Sequence, residues 1–467
     1  MKHSQEYIIN LFCFCCLCIC FFLFSSCKKF VQVPQPSTQI QTSQIFENDA
    51  SALSAALGVY SKMVSANLSI TNGGVSVYAA LSADEMNNTV ANPDVDAFTK
   101  NSLLASNPVL NGNFWKPAYS TIYSANAVLE GLKQSKAIAP ALKAQLQGEM
   151  LVCRSLCYFY LVHLFGDVPL QVSTDFEVNQ SAERRSSQVI YDQIITDLKE
   201  AKNLLTPAYP SAGRVRANKW AATSLLARVY LYTGDWSNAE KEASDVLNSG
   251  MYSLTPAASI SNAYANNSTE AVWQVMRETS NTTEGAAFIP SSATTKPAYS
   301  ISASLLQAFE AGDLRKKYWM DSSKVGSPAT VFYYPKKYRQ RSSTSPVQEY
   351  LVVLRLAEMY LVRAEARAQQ NTISGALQDI NQLRSRAGLA DTVATDKTTL
   401  LKIIEHERQV ELFAEWGHRW MDLKRSGRLS VVMPVIKGAN WQDSDALYPI
   451  PQSEINSNAR LTQNPGY

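Results

Sequence analysis

The sequence predicts an all-α protein in which tetratricopeptide-like helical hairpins pack against a large irregular insert with little strand content. Three observations lead to this prediction. From Asp49 onward, the apolar residues recur mostly with the 3.6-residue period of an α-helix. Two distant segments share the pattern of a helical hairpin. Between them, residues of about 253–348 are rich in Ser, Thr, Pro and aromatic residues and lack the helical period.

The overall composition is that of an ordinary globular protein. The chain has 467 residues, of which 46% are hydrophobic and 18% are charged, and its formal net charge is +3. This balance argues against a disordered chain. Because the basic clusters are short, we expect no nucleic-acid partner. The 22 tyrosines and 8 tryptophans include core residues, but they also supply flat rings on which a ligand can stack.

The N-terminal segment resembles a bacterial lipoprotein signal. An apolar run from Ile8 to Phe24 is short for a membrane span, which needs about 20 residues, and suits a signal peptide at residues 1–26. Small residues precede Cys27, whose thiol is the expected site of lipidation by diacylglycerol and palmitate. Residues 27–44 are polar and contain two prolines, which predicts a lipidated tether. The alternative is an uncleaved membrane anchor.

Residues 45–467 are predicted to form one folded domain that begins with strongly helical segments. The first helix begins at an N-cap, Asn48 or Asp49. Its predicted apolar stripe comprises Leu53, Ala56, Leu57 and Tyr60. A later, strongly apolar helix ends at Gly166. It contains Cys153 and Cys157 on one face, which we interpret as buried thiols rather than as a strained disulfide.

Two helical hairpins share a pattern of small residues. A shift that places Ala227 on Ala364 also places Ala239 on Ala376. Small residues at these points allow two antiparallel helices to approach closely, as in tetratricopeptide hairpins. The alternative is two unrelated hairpins. The two copies are far apart in the chain, so the sequence does not predict a simple tandem array.

The sequence carries no complete catalytic or metal-binding motif. His406 and His418 lack the spacing of a zinc site, and no phosphate-binding loop or nucleophile elbow is present. The best candidate for a catalytic acid is the pair Asp84 and Glu85, since glycoside hydrolysis requires two carboxyl groups. A solvated or helix-capping pair is the alternative interpretation.

Charged residues between positions 405 and 425 are predicted to lie on one helix and to form a structural ion-pair network. The pairs that share a helix face are Glu411 with Glu415, Glu415 with Arg419, Arg408 with Glu411, and Arg419 with Asp422.

Five segments of the chain are specific enough to compare with known families: "LFGDVPL" at 164–170, "RANKWAATSLLARVYLYTGDWSNAEKEASDVL", "YLVRAEARAQQ", "ERQVELFAEWGHRWMDLKRSG" and the C-terminal "YPIPQSEINSNARLTQNPGY". Together they resemble the SusD/RagB family of nutrient-binding outer-membrane lipoproteins of Bacteroidetes. The resemblance spans nearly the whole chain after Cys27, and the C-terminal segment is its most specific part.

The resemblance implies a helical, lipid-anchored protein on the surface of the outer membrane. It implies a TonB-dependent barrel transporter of the SusC type as partner and an oligosaccharide, or in some branches a peptide, as ligand. It implies no catalysis and no cofactor, and it leaves open whether calcium assists binding. In place of the acidic residues that often follow the acylated cysteine in surface-exposed members, this chain has Lys28 and Lys29.

Ligand-binding residues are expected in two irregular regions, 72–113 and 253–348, because long loops on rigid scaffolds are usually functional. Aromatic rings pack on sugar faces while polar side chains bind the hydroxyl groups. The candidates are Tyr78, Asp84, Asn87, Asn88, Trp273, Arg277, Tyr299, Trp319, Tyr333 and Tyr334. Trp273 has an alternative interpretation as a core residue, and Trp319 as a plug at a helix end.

Two other functions compete with glycan binding by a surface lipoprotein. One is a lipid-anchored glycoside hydrolase built on helices. The other is a scaffold whose hairpins bind only proteins, which predicts no exposed aromatic cluster away from the hairpins.

Overall fold

The computed structural model describes residues 4–5, 7–8 and 42–467. The chain is divided into two compact units, the first ending at Ile45 and the second beginning at Phe46. In the first unit, residues 42–45 form the short helix α1 (Thr42–Ile45). The predicted cleavage site, the predicted lipidation site Cys27 and most of the predicted tether lie outside the described residues. No helix in the described part of the chain is long and apolar enough to cross a membrane.

The second unit consists mainly of helices joined by short loops. Its α-helices are α2 (Asp49–Ser65), α3 (Gly74–Ser82), α4 (Pro93–Lys100), α5 (Lys116–Gln134), α6 (Pro140–Phe165), α7 (Phe176–Asn179), α8 (Ser187–Leu204), α9 (Lys219–Thr233), α10 (Trp236–Leu247), α11 (Thr283–Phe288), α12 (Ala303–Ala308), α13 (Leu314–Trp319), α14 (Leu356–Gln369), α15 (Ile373–Arg386), α16 (Lys397–Leu412), α17 (His418–Arg425), α18 (Leu429–Lys437) and α19 (Gln452–Ser457). A π-helical turn, Leu110–Trp115, leads into α5.

The strands are short and pair only two at a time. They are β1 (Met86–Asn88), β2 (Val168–Pro169), β3 (Arg184–Arg185), β4 (Ala271–Val275), β5 (Tyr299–Ile301), β6 (Met320–Val325), β7 (Thr330–Pro335) and β8 (Leu351–Arg355). The antiparallel pairs are β1 with β5, β2 with β3, β4 with β8, and β6 with β7. The predicted all-α class with little strand content is confirmed.

The long helices form one continuous stack. In the order α2, α5, α6, α8, α9, α10, α14 and α15, each helix packs against the next, and α16 packs back onto α14. The two predicted hairpins are α9 with α10 and α14 with α15. Their small residues Ala227, Ala239, Ala364 and Ala376 are fully buried, as close helix packing requires. Gly234 makes the turn of the first hairpin with a φ of 75°.

The first long helix begins where the sequence predicts, but its buried face differs from the prediction. The N-cap is Asn48, whose side-chain oxygen accepts from the backbone N–H of Ser51 at 3.0 Å. Leu57 of the predicted stripe is 40% exposed. The residues that face the core are Ala52, Ala56, Val59, Met63 and Val64. The buried face is therefore rotated from the predicted stripe toward Ala52, Val59 and Met63, since α2 packs against α5 and α6.

Cys153 and Cys157 are free, buried thiols in α6, which confirms the interpretation as small core residues. Burial raises the pKa of Cys157 to about 12, so its thiol stays protonated at neutral pH. Burial likewise raises the pKa of Cys153.

The predicted insert lies in a segment, residues 248–355, that leaves the helical stack and returns to it without interrupting the packing of the stack. We call this segment the excursion. Helices α10 and α14 pack against each other although residues 248–355 separate them in sequence. Within these residues lie α11 to α13 and β4 to β8. Strand β8 runs directly into α14, so its pairing with β4 lies where the excursion rejoins the stack.

A buried ion cluster attaches the excursion to the C-terminal helices. Arg355 Nη1 lies 2.6 Å from Glu411 Oε1, and its Nε lies 2.8 Å from Glu415 Oε2. Lys337 pairs with Glu415 and donates to the carbonyl of Glu411 at 2.8 Å. Arg315 Nη1 lies 3.1 Å from Glu411 Oε2. Buried charges require such partners, and these contacts hold the insert in a fixed position relative to the stack.

The predicted ion-pair network exists, but the predicted pairs are wrong. Arg408 binds Asp422 through Nε at 2.7 Å, and Arg419 binds Asp84 through Nε at 2.8 Å. The predicted pairs assumed one continuous helix. The chain instead leaves the helix after α16 and resumes it at α17, with positive φ angles between them at Ala414, Trp416 and Gly417.

Candidate ligand-binding face

The two irregular regions meet in a short antiparallel ladder. Asn87 lies opposite Ser300, and Asn88 lies opposite Tyr299. The backbone N–H of Thr89 extends the ladder by donating to the carbonyl of Ala298 at 3.0 Å. Residues of 72–113 and of 253–348 therefore share one surface, although about two hundred positions separate them in sequence.

The β6–β7 hairpin adds aromatic side chains beside this ladder. Strand β7 packs against β5, and the Nζ of Lys296 lies 5.2 Å from the ring centroid of Phe332. Tyr333 follows in the same strand and is 39% exposed. We call the surface region that contains the accessible residues Asn87, Asn88, Lys296, Phe332 and Tyr333 the insert face. Successive strand residues alternate, so Tyr333 points to the side of β7 opposite to Phe332 and Lys296. Amide groups, an ammonium and aromatic rings together are suited to polar ligands with an apolar face, such as sugars.

Four of the ten predicted ligand-binding residues are accessible in the structure: Asn87, Asn88, Arg277 and Tyr333. The Asn88 amide is held by Asp96, to whose carboxylate it donates at 2.7 Å. Arg277 Nη1 donates to Thr283 Oγ1 at 3.3 Å. Ligand binding by these four residues stays a prediction.

The other six candidates are buried: Tyr78, Asp84, Trp273, Tyr299, Trp319 and Tyr334. Trp273 and Trp319 have no exposed surface. Trp319 donates through Nε1 to the carbonyl of Ile260 at 3.0 Å, at the end of α13. Their burial supports the alternative interpretation of both tryptophans as packing residues, because neither indole has a face free for a ligand.

The buried tyrosines pack in aromatic clusters. The ring of Tyr78 lies 4.8 Å from that of Phe98 and 5.6 Å from that of Phe114, measured between centroids. The ring of Tyr299 lies 6.3 Å from that of Phe288. Burial raises the pKa of Tyr78, Tyr299 and Tyr334. These hydroxyl groups remain protonated, and their rings contribute to the core beneath the insert face.

Asp84 and Glu85 form neither a solvated nor a capping pair. Asp84 binds Arg419 with both carboxylate oxygens, at 2.8 and 2.9 Å. Burial opposes ionisation of Asp84, but Arg419 outweighs it and lowers the pKa of Asp84. Glu85 is 1% exposed, and burial together with the charge of Asp84 raises its pKa to about 8. A polysaccharide has no access to these carboxyl groups in this structure.

Lys296 and Phe332 are absent from the predicted residues. Their contact with each other depends on packing between the segment before β5 and strand β7, which no local pattern signals. In the described part of the chain, no group of three His, Cys, Asp or Glu side chains is arranged to hold a metal ion. The expectation that the protein needs no cofactor stays a prediction.

Comparison with models of known protein families identifies the family of this chain. The model of the SusD family matches residues 232–467. The chain belongs to the SusD family. A second family model, described as starch-binding and associating with the outer membrane, matches residues 41–231. The predicted family is thereby confirmed over nearly the whole length after Cys27.

Curated relatives in the SusD family are distant but extend along the chain. SusD-like protein P25 of Formosa agariphila is 23% identical over 95% of this chain and 97% of its own. The starch-binding protein SusD of Bacteroides thetaiotaomicron is 37% identical over 122 residues, which are 25% of this chain and 21% of its own.

Solved structures of the SusD family share the fold. A SusD superfamily protein of Bacteroides vulgatus superposes with a TM-score of 0.78 at 20% identity, covering 91% of this chain and 100% of its own. A laminarin-binding SusD-like protein superposes with a TM-score of 0.74 at 22% identity, covering 90% of this chain and 100% of its own. These similarities establish a common architecture.

Proposed function

We propose that this protein is an outer-membrane lipoprotein that binds nutrient oligosaccharides and delivers them, uncleaved, to a TonB-dependent transporter of the SusC type. The observation that carries the proposal is the match to the SusD family and to the starch-binding family model, which together span residues 41–467. The binding of starch by one relative and of laminarin by one structural neighbour supports a glycan ligand.

The insert face is the proposed site of capture. It contains the exposed ring of Tyr333 on one side of β7, the ammonium of Lys296 over Phe332 on the other side, and the amides of Asn87 and Asn88 in the adjoining ladder. The insert is also fixed to the stack by buried ion pairs such as Arg355 with Glu411, so little ordering is required when a ligand binds. A shallow, preformed surface of this kind suits the exposed chains of a polysaccharide.

Affinity electrophoresis against starch, laminarin and other polysaccharides tests the binding. We expect at least one polysaccharide to retard the protein. Tyr333→Ala should weaken that retardation by at least about fivefold, which corresponds to ~1 kcal/mol for a central aromatic contact. The matched control is Tyr123→Ala, since Tyr123 is 52% exposed and lies on helix α5.

Release of reducing ends from the same polysaccharides separates binding from hydrolysis. Steady product release by the purified protein would favour the glycoside hydrolase. Retention of peptides, with no retardation by any polysaccharide, would favour a peptide ligand instead.

Lipidation and partnership are tested in the membrane. We expect incorporation of labelled palmitate and recovery in the outer-membrane fraction for the parent chain, and loss of both for Cys27→Ser. A tagged parent chain should co-purify with a barrel transporter identified by mass spectrometry. A protein that is unlabelled and recovered without such a partner would contradict this part of the proposal.

A further inference from the structure

A cavity of about 630 Å³ lies where the end of α6 meets α8, α9, α17 and the C-terminal tail. None of its lining residues belongs to the insert face. Its charged and aromatic walls include Asp167, Arg184, Tyr191, Tyr232 and Lys424. The volume falls within the range of about 300–1,000 Å³ that is usual for small-ligand sites.

Lys424 brings a side-chain amine into this wall without a carboxylate partner among the described residues. Its Nζ donates to the carbonyl of His163 at 2.8 Å, which uses one of its three N–H groups. Among the described residues it makes no ion pair, and burial lowers its pKa to about 7. Burial, with smaller contributions from the nearby charges of Lys424 and Arg425, also lowers the pKa of His163.

Arg184 is the second cation of the cavity. It donates through Nε to the carbonyl of Asp167 at 2.7 Å and through Nη1 to the carbonyl of Thr462 at 3.0 Å. Its pairing with neutral carbonyl groups leaves its charge uncompensated by direct contact. The carboxylate of Asp167 accepts from the backbone N–H of Ser187 at 2.8 Å.

The remaining charged group of the wall is already neutralised. Arg425 binds Glu365 through Nη2 at 2.7 Å and Asp422 through Nε at 2.8 Å. Arg184 and Lys424 are then opposed by Asp167, which is the one acidic residue in the lining. When Lys424 is protonated, one positive charge is left over, which matches a ligand with a single negative charge.

We propose that this cavity binds a sugar acid, that is, a sugar ring that carries one carboxylate, through Lys424 and Arg184. The ring of Tyr191 in the same wall provides apolar surface for the C–H face of a sugar. The proposal rests on the proposed glycan binding for the sugar ring, while the charge of the ligand follows from the cavity alone. It adds a second, charge-selective site to the insert face.

Titration calorimetry with glucuronate and glucose tests the charge requirement, because these sugars differ in one carboxylate. The parent chain should bind glucuronate at least tenfold more tightly than glucose. Lys424→Met should weaken glucuronate binding at least tenfold, and Lys424→Arg should retain most of it. The control Lys133→Met, at an exposed position of α5, should bind as the parent does.

Several outcomes would overturn the proposal. They are equal affinity for the two sugars, no binding of either, and parent-like glucuronate binding by Lys424→Met. If Lys424 serves only to cap the end of α6, Lys424→Met lowers the thermal midpoint and leaves the preference for glucuronate over glucose unchanged. Circular dichroism and polysaccharide retardation verify that each variant is folded.

The same variants separate this site from the insert face. Tyr333→Ala should lose polysaccharide retardation and keep glucuronate binding, and Lys424→Met should do the reverse. Glucuronate binding by a protein that no polysaccharide retards would contradict the proposed function and leave the anion site standing.

Discussion

At position 85 a carboxyl group lies inside the protein with one oxygen that has no hydrogen-bond partner. Burial, together with the charge of Asp84, raises the pKa of Glu85 to about 8. An unfolded glutamate has a pKa of about 4.3. The folded protein therefore keeps a proton that the unfolded chain loses, and the free energy of unfolding falls as the pH rises between these values.

Replacement of Glu85 by Gln should remove this pH dependence. We expect Glu85→Gln to be more stable than the parent at about pH 8, by more than about 1.4 kcal/mol, and close to it at about pH 4. Urea denaturation across this range measures the difference. Glu183→Gln, at a residue whose ion pair is exposed, should follow the parent curve, and an unchanged slope in Glu85→Gln would refute the assignment.

Glu411 presents the opposite case. Burial would raise its pKa, but the guanidinium groups of Arg386, Arg355 and Arg315 outweigh burial and lower it far below the usual carboxyl range. This stabilisation is present above about pH 4.3, where an unfolded glutamate is ionised, and is lost as the pH falls toward the folded pKa.

Removal of that carboxylate should leave three buried guanidinium groups short of a partner. We expect Glu411→Ala to lose about 3–5 kcal/mol of stability at neutral pH. Arg460→Ala breaks an exposed pair with Glu183 and should lose less than about 1 kcal/mol. Chemical denaturation measures both, and equal losses would show that the cluster does not stabilise the fold.

At the scale of elements, the break between α16 and α17 depends on Gly417. Its φ is +67°, and an added Cβ would lie 2.8 Å from Ala79 Cβ and 2.9 Å from Val75 Cγ1. Gly250 also has a positive φ, +70°, but no atom lies within 4 Å of the position of its added Cβ.

Alanine substitutions at these two glycines distinguish the cost of backbone strain from the cost of steric crowding by the added Cβ. Gly250→Ala should destabilise the protein by about 1–2 kcal/mol through strain alone. Gly417→Ala should lose a further ~1–3 kcal/mol, because α3 must move away from the break. Thermal unfolding compares the two variants, and similar losses would show that α3 yields without resistance.

The helices and their hairpins could be predicted because their evidence is local. The periodic alanines and the Gly234 turn specify the α9–α10 hairpin within a few residues. The break at Gly417 was missed, since the charge pattern around it also fits a continuous helix. The insert face could be predicted only as a region, because the ladder of Asn88 with Tyr299 is set by contacts between distant segments.

At the scale of the whole molecule, protection against hydrogen exchange should follow burial. Residues 326–331 form the exposed tip of the β6–β7 hairpin, whereas residues 149–165 of α6 are buried throughout. We expect amides at the tip to exchange within seconds and those of α6 only on global unfolding, as followed by mass spectrometry. Simultaneous exchange of both segments would indicate a single cooperative opening.

The contact between α10 and α14 has a consequence for how this architecture can change over time. Because α10 and α14 pack directly against each other, the chain between them can lengthen, shorten or change in sequence while the helical stack stays intact. During evolution, the residues displayed by the excursion can therefore change while the helices that support them are conserved.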